Sequence, residues 1–234
     1  MAGATFLDPR ATPAISLSSR TTRGTLKEAF PDARILVASD AIKADTLAFS
    51  RWMDSVGWIE QQPQMKPRSV EAPEGFDYDA QIEVLVEEPL GLEGGGVLEI
   101  RADYPATECS HLSTVFVPDE NARLTSDLTY HGVHAWAGQG VLREHLASWI
   151  QLLAELKARY ASPGVRVFPG HGAPCDPTLF DRMRAYLEDF MTAVDVERTD
   201  ADAAARMKRL YPGFAQEDFL LAQSVAFHGP DGRA

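Results

Sequence analysis

Hydrophobic residues along this chain follow a period of two in several short runs and a period near three and a half in several longer ones. Ile82-Glu83-Val84-Leu85-Val86 alternates as a half-buried strand does, and Val97 to Ala102 reads as another strand after the Gly94-Gly95-Gly96 break. Leu112 to Val117 is a β-branched and aromatic run, Pro118 to Asn121 carries turn chemistry, and Ala122 to Thr125 begins a return strand. This hairpin places His111 just before its first strand and Asp127 just after its second. Val165 to Phe168 is a further short strand, running into Gly170-His171-Gly172.

The longer rhythm predicts helices. Ser39 or Asp40 can cap a helix to about Val56, whose apolar residues Ile42, Leu47, Phe49, Trp52, Met53 and Val56 approximate one face. Val141 to Tyr160 carries Leu142, Leu146, Trp149, Ile150, Leu153 and Leu156 on one stripe. Asp176-Pro177 is a cap followed by proline, opening a helix to about Val194. Thr199 and Asp202 have capping-box spacing, and a last helix is expected near Glu217 to Phe227. Residues 1–14 read as an irregular lead-in, followed by a short strand at Ala14 to Ser18, a short helix at Gly24 to Phe30 and a strand at Arg34 to Ala38. Gly57 to Phe76 mixes prolines and charges without a period, which predicts a loop.

At 234 residues, with 45% hydrophobic and 24% charged content, the chain can bury one sizeable core, so a single domain is expected. A formal net charge of −12 argues against nucleic acid as partner, because phosphate recognition needs clustered Lys and Arg. No apolar run is long enough to span a bilayer, and the first residues lack a signal-peptide core, so no membrane partner and a cytoplasmic location are expected.

His111, Asp127 and His171 are the candidate metal ligands: two imidazoles and a carboxylate delivered at loop positions beside strands. Cys109 and Cys175, the two cysteines of the chain, flank them. They read as reduced thiols, with extra ligands, a local disulfide or a reactive thiol as the alternatives. His131 and His134 follow Asp127 closely enough to reach a site mouth, with His134 a pocket candidate. His145 and His228 read as exposed or packed, and Trp136 and Trp149 as core aromatics.

The order His111, Ser126-Asp127, then Gly170-His171-Gly172 followed by Pro174 and a helix resembles the second half of the metallo-β-lactamase superfamily, over roughly Ile15 to Tyr186. The resemblance implies an α/β fold, the αββα two-sheet sandwich, here with a shortened N-terminal sheet. Residues 196–234 would form a C-terminal helical extension. Family members carry an earlier His-x-His-x-Asp-His motif that supplies most ligands of a two-metal site. Counting back from Gly24 through the Phe30-Pro31-Asp32-Ala33 tail, those positions hold Ser16, Ser18, Arg20 and Thr21, none a normal zinc ligand. A second register puts Ala41, Lys43, Asp45 and Thr46 there, at the expense of reading Asp40 to Val56 as a helix. Either register removes every histidine of the motif.

Few residues precede Ser16, so the first sheet is expected to be incomplete, completed by a partner copy, or cut short. A homodimer covering its edge follows from that expectation. The chain therefore reads as a degenerate member of the fold, not a standard two-zinc hydrolase. It would bind or act on a small organic molecule in a pocket offering Ser16, Ser18, Arg20 and Thr21. The alternatives are a mononuclear zinc or iron enzyme using His111, Asp127 and His171, a hydrolase or lyase of a small molecule, and a conventional dinuclear hydrolase. The cofactor expectation is none, or one divalent metal.

Overall fold

The computed structural model describes residues 6–7, 30, 32–57, 59–60, 65–86 and 88–231. Two compact units emerge: residues up to 103 together with 111–120, and residues 104–110 together with 121–234.

The N-terminal unit holds a three-stranded sheet of β1 (Phe6–Leu7), β2 (Ile35–Val37) and β3 (Ile82–Val84). β1 runs antiparallel to β2, with Phe6 opposite Leu36, so the expected irregular lead-in contains a strand. β2 and β3 are parallel, with Ile35 opposite Ile82. A parallel pair needs a crossover, and helix α1 (Asp40–Ser55) lies in that connection. Ser39 caps it, its Oγ accepting from the Ile42 amide at 3.2 Å. The buried positions Ile42, Thr46, Ser50 and Met53 recur at helical spacing. Ala33, Ile35, Val37, Ile42, Phe76, Tyr78 and Ile82 form one buried cluster. The segment between α1 and β3 adds a short helix, α2 (Tyr78–Gln81), and is tied down where Ser50 Oγ and Tyr78 Oη both donate to the Met65 carbonyl. In the same unit β4 (Leu90–Gly91), β5 (Val97–Arg101) and β6 (Thr114–Val117) pair antiparallel in succession.

The C-terminal unit is built on β7 (Ala122–Tyr130) and β8 (Arg166–His171), a parallel pair. Helix α3 (Arg143–Tyr160) lies in the crossover, and α4 (Leu179–Val196) packs against it. The core is apolar: Leu128, Leu146, Trp149, Leu153, Leu156, Phe180 and Phe190 are fully buried. Trp149 places its one polar atom on the Leu128 carbonyl at 2.9 Å. The helix after Asp176-Pro177 starts later than expected. Asp176 Oδ1 instead accepts from the Thr178 amide at 2.8 Å, a local turn that leads into α4. α5 (Asp200–Leu210) has the anticipated Thr199 cap, which accepts from the Asp202 amide at 3.1 Å. A wide turn over Glu217–Leu221 continues into α6 (Ala222–His228). His145 caps α3, its Nδ1 accepting from the Leu142 amide at 3.2 Å. Among the described residues no helix is long and apolar enough to cross a membrane.

Candidate functional site

β7 does not stop before Asp127, as the polar run Thr125-Ser126-Asp127 suggests, but continues to Tyr130. The register explains how Asp127 is set apart within it. Leu124 faces Phe168 and Ser126 faces Pro169, so β7 spends an extra residue there, and a second shift separates Ser126 from Tyr130. Ser126 absorbs the irregularity in the left-handed region, at φ 49°. A bulge at this point re-aims the next side chain, and Asp127 is delivered nearly buried, 8% exposed.

The two glycines around His171 have separate steric causes. A Cβ on Gly170 would overlap Asp127 Oδ1 and the Ser126 carbonyl, so only glycine lets β8 pass the bulge. Gly172 sits at φ 94°, and a Cβ there would overlap the His131 carbonyl. Between them His171 is held from two sides. Its ring stacks on Tyr130, centroids 5.0 Å apart and planes inclined 11°. Its carbonyl accepts from the His131 amide at 2.9 Å. His171 Nε2 then lies 3.5 Å from Asp127 Oδ1.

Acidic groups gather behind this pair. Glu108 is 4% exposed; burial first, and then the negative charge of Asp127, push its carboxyl above the usual range. Burial, reinforced by Glu108, pushes the Cys109 thiol up, which is the opposite of an activated nucleophile. Burial, with Asp127 and Glu108 adding to it, also raises the Tyr130 hydroxyl. The arrangement offers a carboxylate, an imidazole and a carboxyl biased toward its protonated form, which suits proton transfer. Glu108 and Tyr130 were not among the sequence candidates. Glu108 adjoins Cys109 in sequence, and Tyr130 is the register partner of His171.

The other candidates take different places. Cys109 and Cys175 are both free thiols, so the local disulfide does not form. Cys175 turns back onto β8, exchanging backbone hydrogen bonds of 2.7 and 2.9 Å with Val167, and Arg182 Nη2 donates to its sulfur at 2.8 Å. His131 Nδ1 donates to the Ala173 carbonyl at 2.7 Å. His134 is fully buried, its Nδ1 3.0 Å from the Tyr186 hydroxyl and its ring beside Tyr186 and Phe214. Ser16, Ser18, Arg20 and Thr21 lie outside the described residues.

His111 belongs to the N-terminal unit, and Asp127 and His171 to the C-terminal one. Within its own unit His111 has a specific partner: Nδ1 is 2.8 Å from Asp45 Oδ2, across 66 positions of sequence. Asp45 is the one carboxylate of the second motif register. Asp45 lies in the second turn of α1, off its buried face, so the helix leaves its side chain available to His111.

A divalent metal can be tested against the donors present. Two donors on one tetrahedral zinc, each about 2.1 Å from it, stand roughly 3.4 Å apart. The 3.5 Å between Asp127 Oδ1 and His171 Nε2 therefore has the span of a shared ion. Among the described residues, however, no three His, Cys, Asp or Glu side chains gather to hold one. The pair is one protein ligand short of a three-ligand catalytic zinc.

No protein-family model matches this chain, and no curated protein matches it. Solved structures do. A metallo-beta-lactamase family protein from Thermus thermophilus is similar at 14% identity and TM-score 0.46, over 82% of this chain and 64% of that one. DIM-1 metallo-beta-lactamase exposed to ceftazidime is similar at 16% identity and TM-score 0.34, over 67% of this chain and 80% of that one. The stereoselective inverting sec-alkylsulfatase Pisa1 from Pseudomonas sp. is similar at 12% identity and TM-score 0.41, over 62% of this chain and 26% of that one. DIM-1 and the Thermus protein are described as metallo-beta-lactamases, the group that the His111, Ser126-Asp127 and Gly170-His171-Gly172 pattern resembles.

Proposed function

We propose that this metallo-β-lactamase-fold chain binds or acts on a small organic molecule without a standard two-metal centre. One observation carries the reading, the 2.8 Å contact between Asp45 and His111. It favours the register in which the early motif positions hold Ala41, Lys43, Asp45 and Thr46. Three of those side chains, Ala41, Lys43 and Thr46, are not zinc ligands in any ordinary site, and no histidine is among the four. The Asp127–His171 pair, with Glu108 behind it, remains as acid–base chemistry for a small substrate.

A second reading is favoured by the span of that pair. Asp127 and His171 would hold one zinc or iron ion, which would act as a Lewis acid.

Metal content by plasma mass spectrometry, on protein purified without chelator or nickel affinity, separates the two. Thermal-shift screening of small molecules before and after chelation accompanies it. The first reading expects ligand-induced shifts that survive chelation. One equivalent of zinc or iron, lost in Asp127→Ala and His171→Ala alike, would establish the second reading instead. Two equivalents in the unmodified protein would overturn both.

A further inference from the structure

We infer that Asp45 is a positioning residue for His111, fixing the imidazole in its Nδ1–H tautomer so that Nε2 is the nitrogen presented to a ligand. The inference deepens the proposed function and rests on the register that gives Asp45 its place in the early motif. Three features support it, all within one unit.

The first is the chemistry of the contact. Asp45 Oδ2 and His111 Nδ1 are 2.8 Å apart, a hydrogen-bonding distance. An ionised carboxylate has no proton to give, so the hydrogen must sit on Nδ1. A neutral imidazole with its proton on Nδ1 carries its lone pair on Nε2. A carboxylate behind one ring nitrogen is the device that orients histidines for metal binding or proton abstraction, and it works the same way for either.

The second is the way each partner is held. Asp45 stands in the second turn of α1, whose entry is fixed by the Ser39 cap and whose buried face is anchored by Ile42, Thr46, Ser50 and Met53. His111 is followed at once by buried Leu112 and Ser113 and then by β6. The carboxylate is therefore presented from a rigid helix to a ring whose backbone runs into a strand.

The third is exposure. Both side chains are close to half exposed, 47% for His111 and 45% for Asp45. A half-exposed polar contact of this kind contributes little to stability. A ring that is both oriented and accessible is suited to receive a ligand.

The test is the tautomer itself, read from the imidazole nitrogens by long-range proton–nitrogen correlation at about pH 8, above the ordinary imidazole range near 6.5. His131 serves as an internal reference. Its Nδ1 faces the Ala173 carbonyl at 2.7 Å, an acceptor only, so it too is Nδ1–H and is untouched by changes at Asp45. The expected result is a predominantly Nδ1–H His111 in the unmodified protein. In Asp45→Ala the tautomer ratio should move toward Nε2–H by about fivefold, the scale of one lost hydrogen bond, with His131 unchanged. A His111 that is Nε2–H in the unmodified protein overturns the inference, and that spectrum decides even if the variant fails to fold. An unchanged ratio in a folded Asp45→Ala overturns it as well. The spectra are taken on chelated protein, because a metal on Nε2 would itself impose the Nδ1–H form; two equivalents of metal before chelation would retire the proposed function, while the tautomer of the chelated protein still decides this inference.

Discussion

Asp127 occupies the space that a side chain at Gly170 would need. A Cβ on that glycine would overlap Asp127 Oδ1, with the Ser126 carbonyl carbon and oxygen 2.7 and 2.8 Å away. The carboxylate and the glycine are one steric unit, and the bulge of β7 and the Gly-His-Gly turn of β8 can only exist together.

Gly170→Ala is therefore expected to lower stability by about 1–3 kcal/mol, the usual cost of forcing atoms into a packed site. Asp127→Ala in the same chain should recover part of that loss and not all of it, because the Ser126 backbone still crowds the new methyl. Denaturant melts of the two single variants and the double variant measure the recovery. Strict additivity would show that the overlap with the carboxylate is not what makes the glycine necessary.

Ser126 is the second point of strain, a non-glycine residue at φ 49° in the middle of a strand. Ser126→Val should cost about 1–2 kcal/mol or more, since a β-branched side chain tolerates the left-handed region poorly. Ser126→Gly should be neutral or better. A thermal melt in which valine and glycine behave alike would mean that the bulge relaxes without penalty.

His134 predicts a pH dependence. Burial pushes its pKa down to about 4, with the Lys208 charge adding to the fall and Glu217 opposing it. The unfolded imidazole titrates near 6.5. Between these values the unfolded chain takes up a proton that the fold refuses, so stability is fully present above about pH 6.5 and is lost as pH falls toward 4. The loss from this group is at most on the order of 3 kcal/mol. His134→Phe, although it forfeits the bond to the Tyr186 hydroxyl, should flatten this part of the profile. Urea titrations at several pH values, compared between the two proteins, would expose any other origin.

Trp149 is fully buried, and its indole N–H reaches the Leu128 carbonyl at 2.9 Å. Trp149→Phe should cost about 1–3 kcal/mol through the carbonyl left without its donor and the volume lost. Because Leu128 directly follows Asp127 on β7, hydrogen exchange should quicken at the end of that strand before it does in the N-terminal unit. Equal quickening in both units would place the effect elsewhere.

Local chemistry was the legible part of this chain. The Ser39 and Thr199 caps, the amphipathic α3 and the strand leading to His171 are written in neighbouring residues, where one side chain decides one backbone bond. The site was legible only in outline. Asp127 was expected past the end of its strand because Thr125-Ser126-Asp127 reads as polar punctuation, and serine gives no sign that it will adopt a left-handed conformation. His134 could not be recognised as buried, since its aromatic neighbours Tyr186 and Phe214 arrive from distant helices and turns. The Asp45–His111 contact is not legible in the sequence, because it joins positions 66 residues apart. A helix buries one stripe and leaves its flanks for other work, and Asp45 lies on such a flank.

The segment from Gly132 to Ala137 takes its backbone partners from far along the chain. The His134 amide donates to the Ala215 carbonyl and the Ala215 amide to Gly132, each at 3.0 Å, while the Ala137 amide donates to Ser224 Oγ at 2.8 Å. The partners at Ala215 and Ser224 are synthesised well after Tyr130 and His171. The strands that carry Asp127 and His171 can pair early, but the stretch beside them must wait, solvated, until α6 has been synthesised. Assembly of this unit is consequently timed by α6, and a nascent chain stalled before Ser224 would hold Asp127 and His171 on paired strands while Ala137 still lacked its partner.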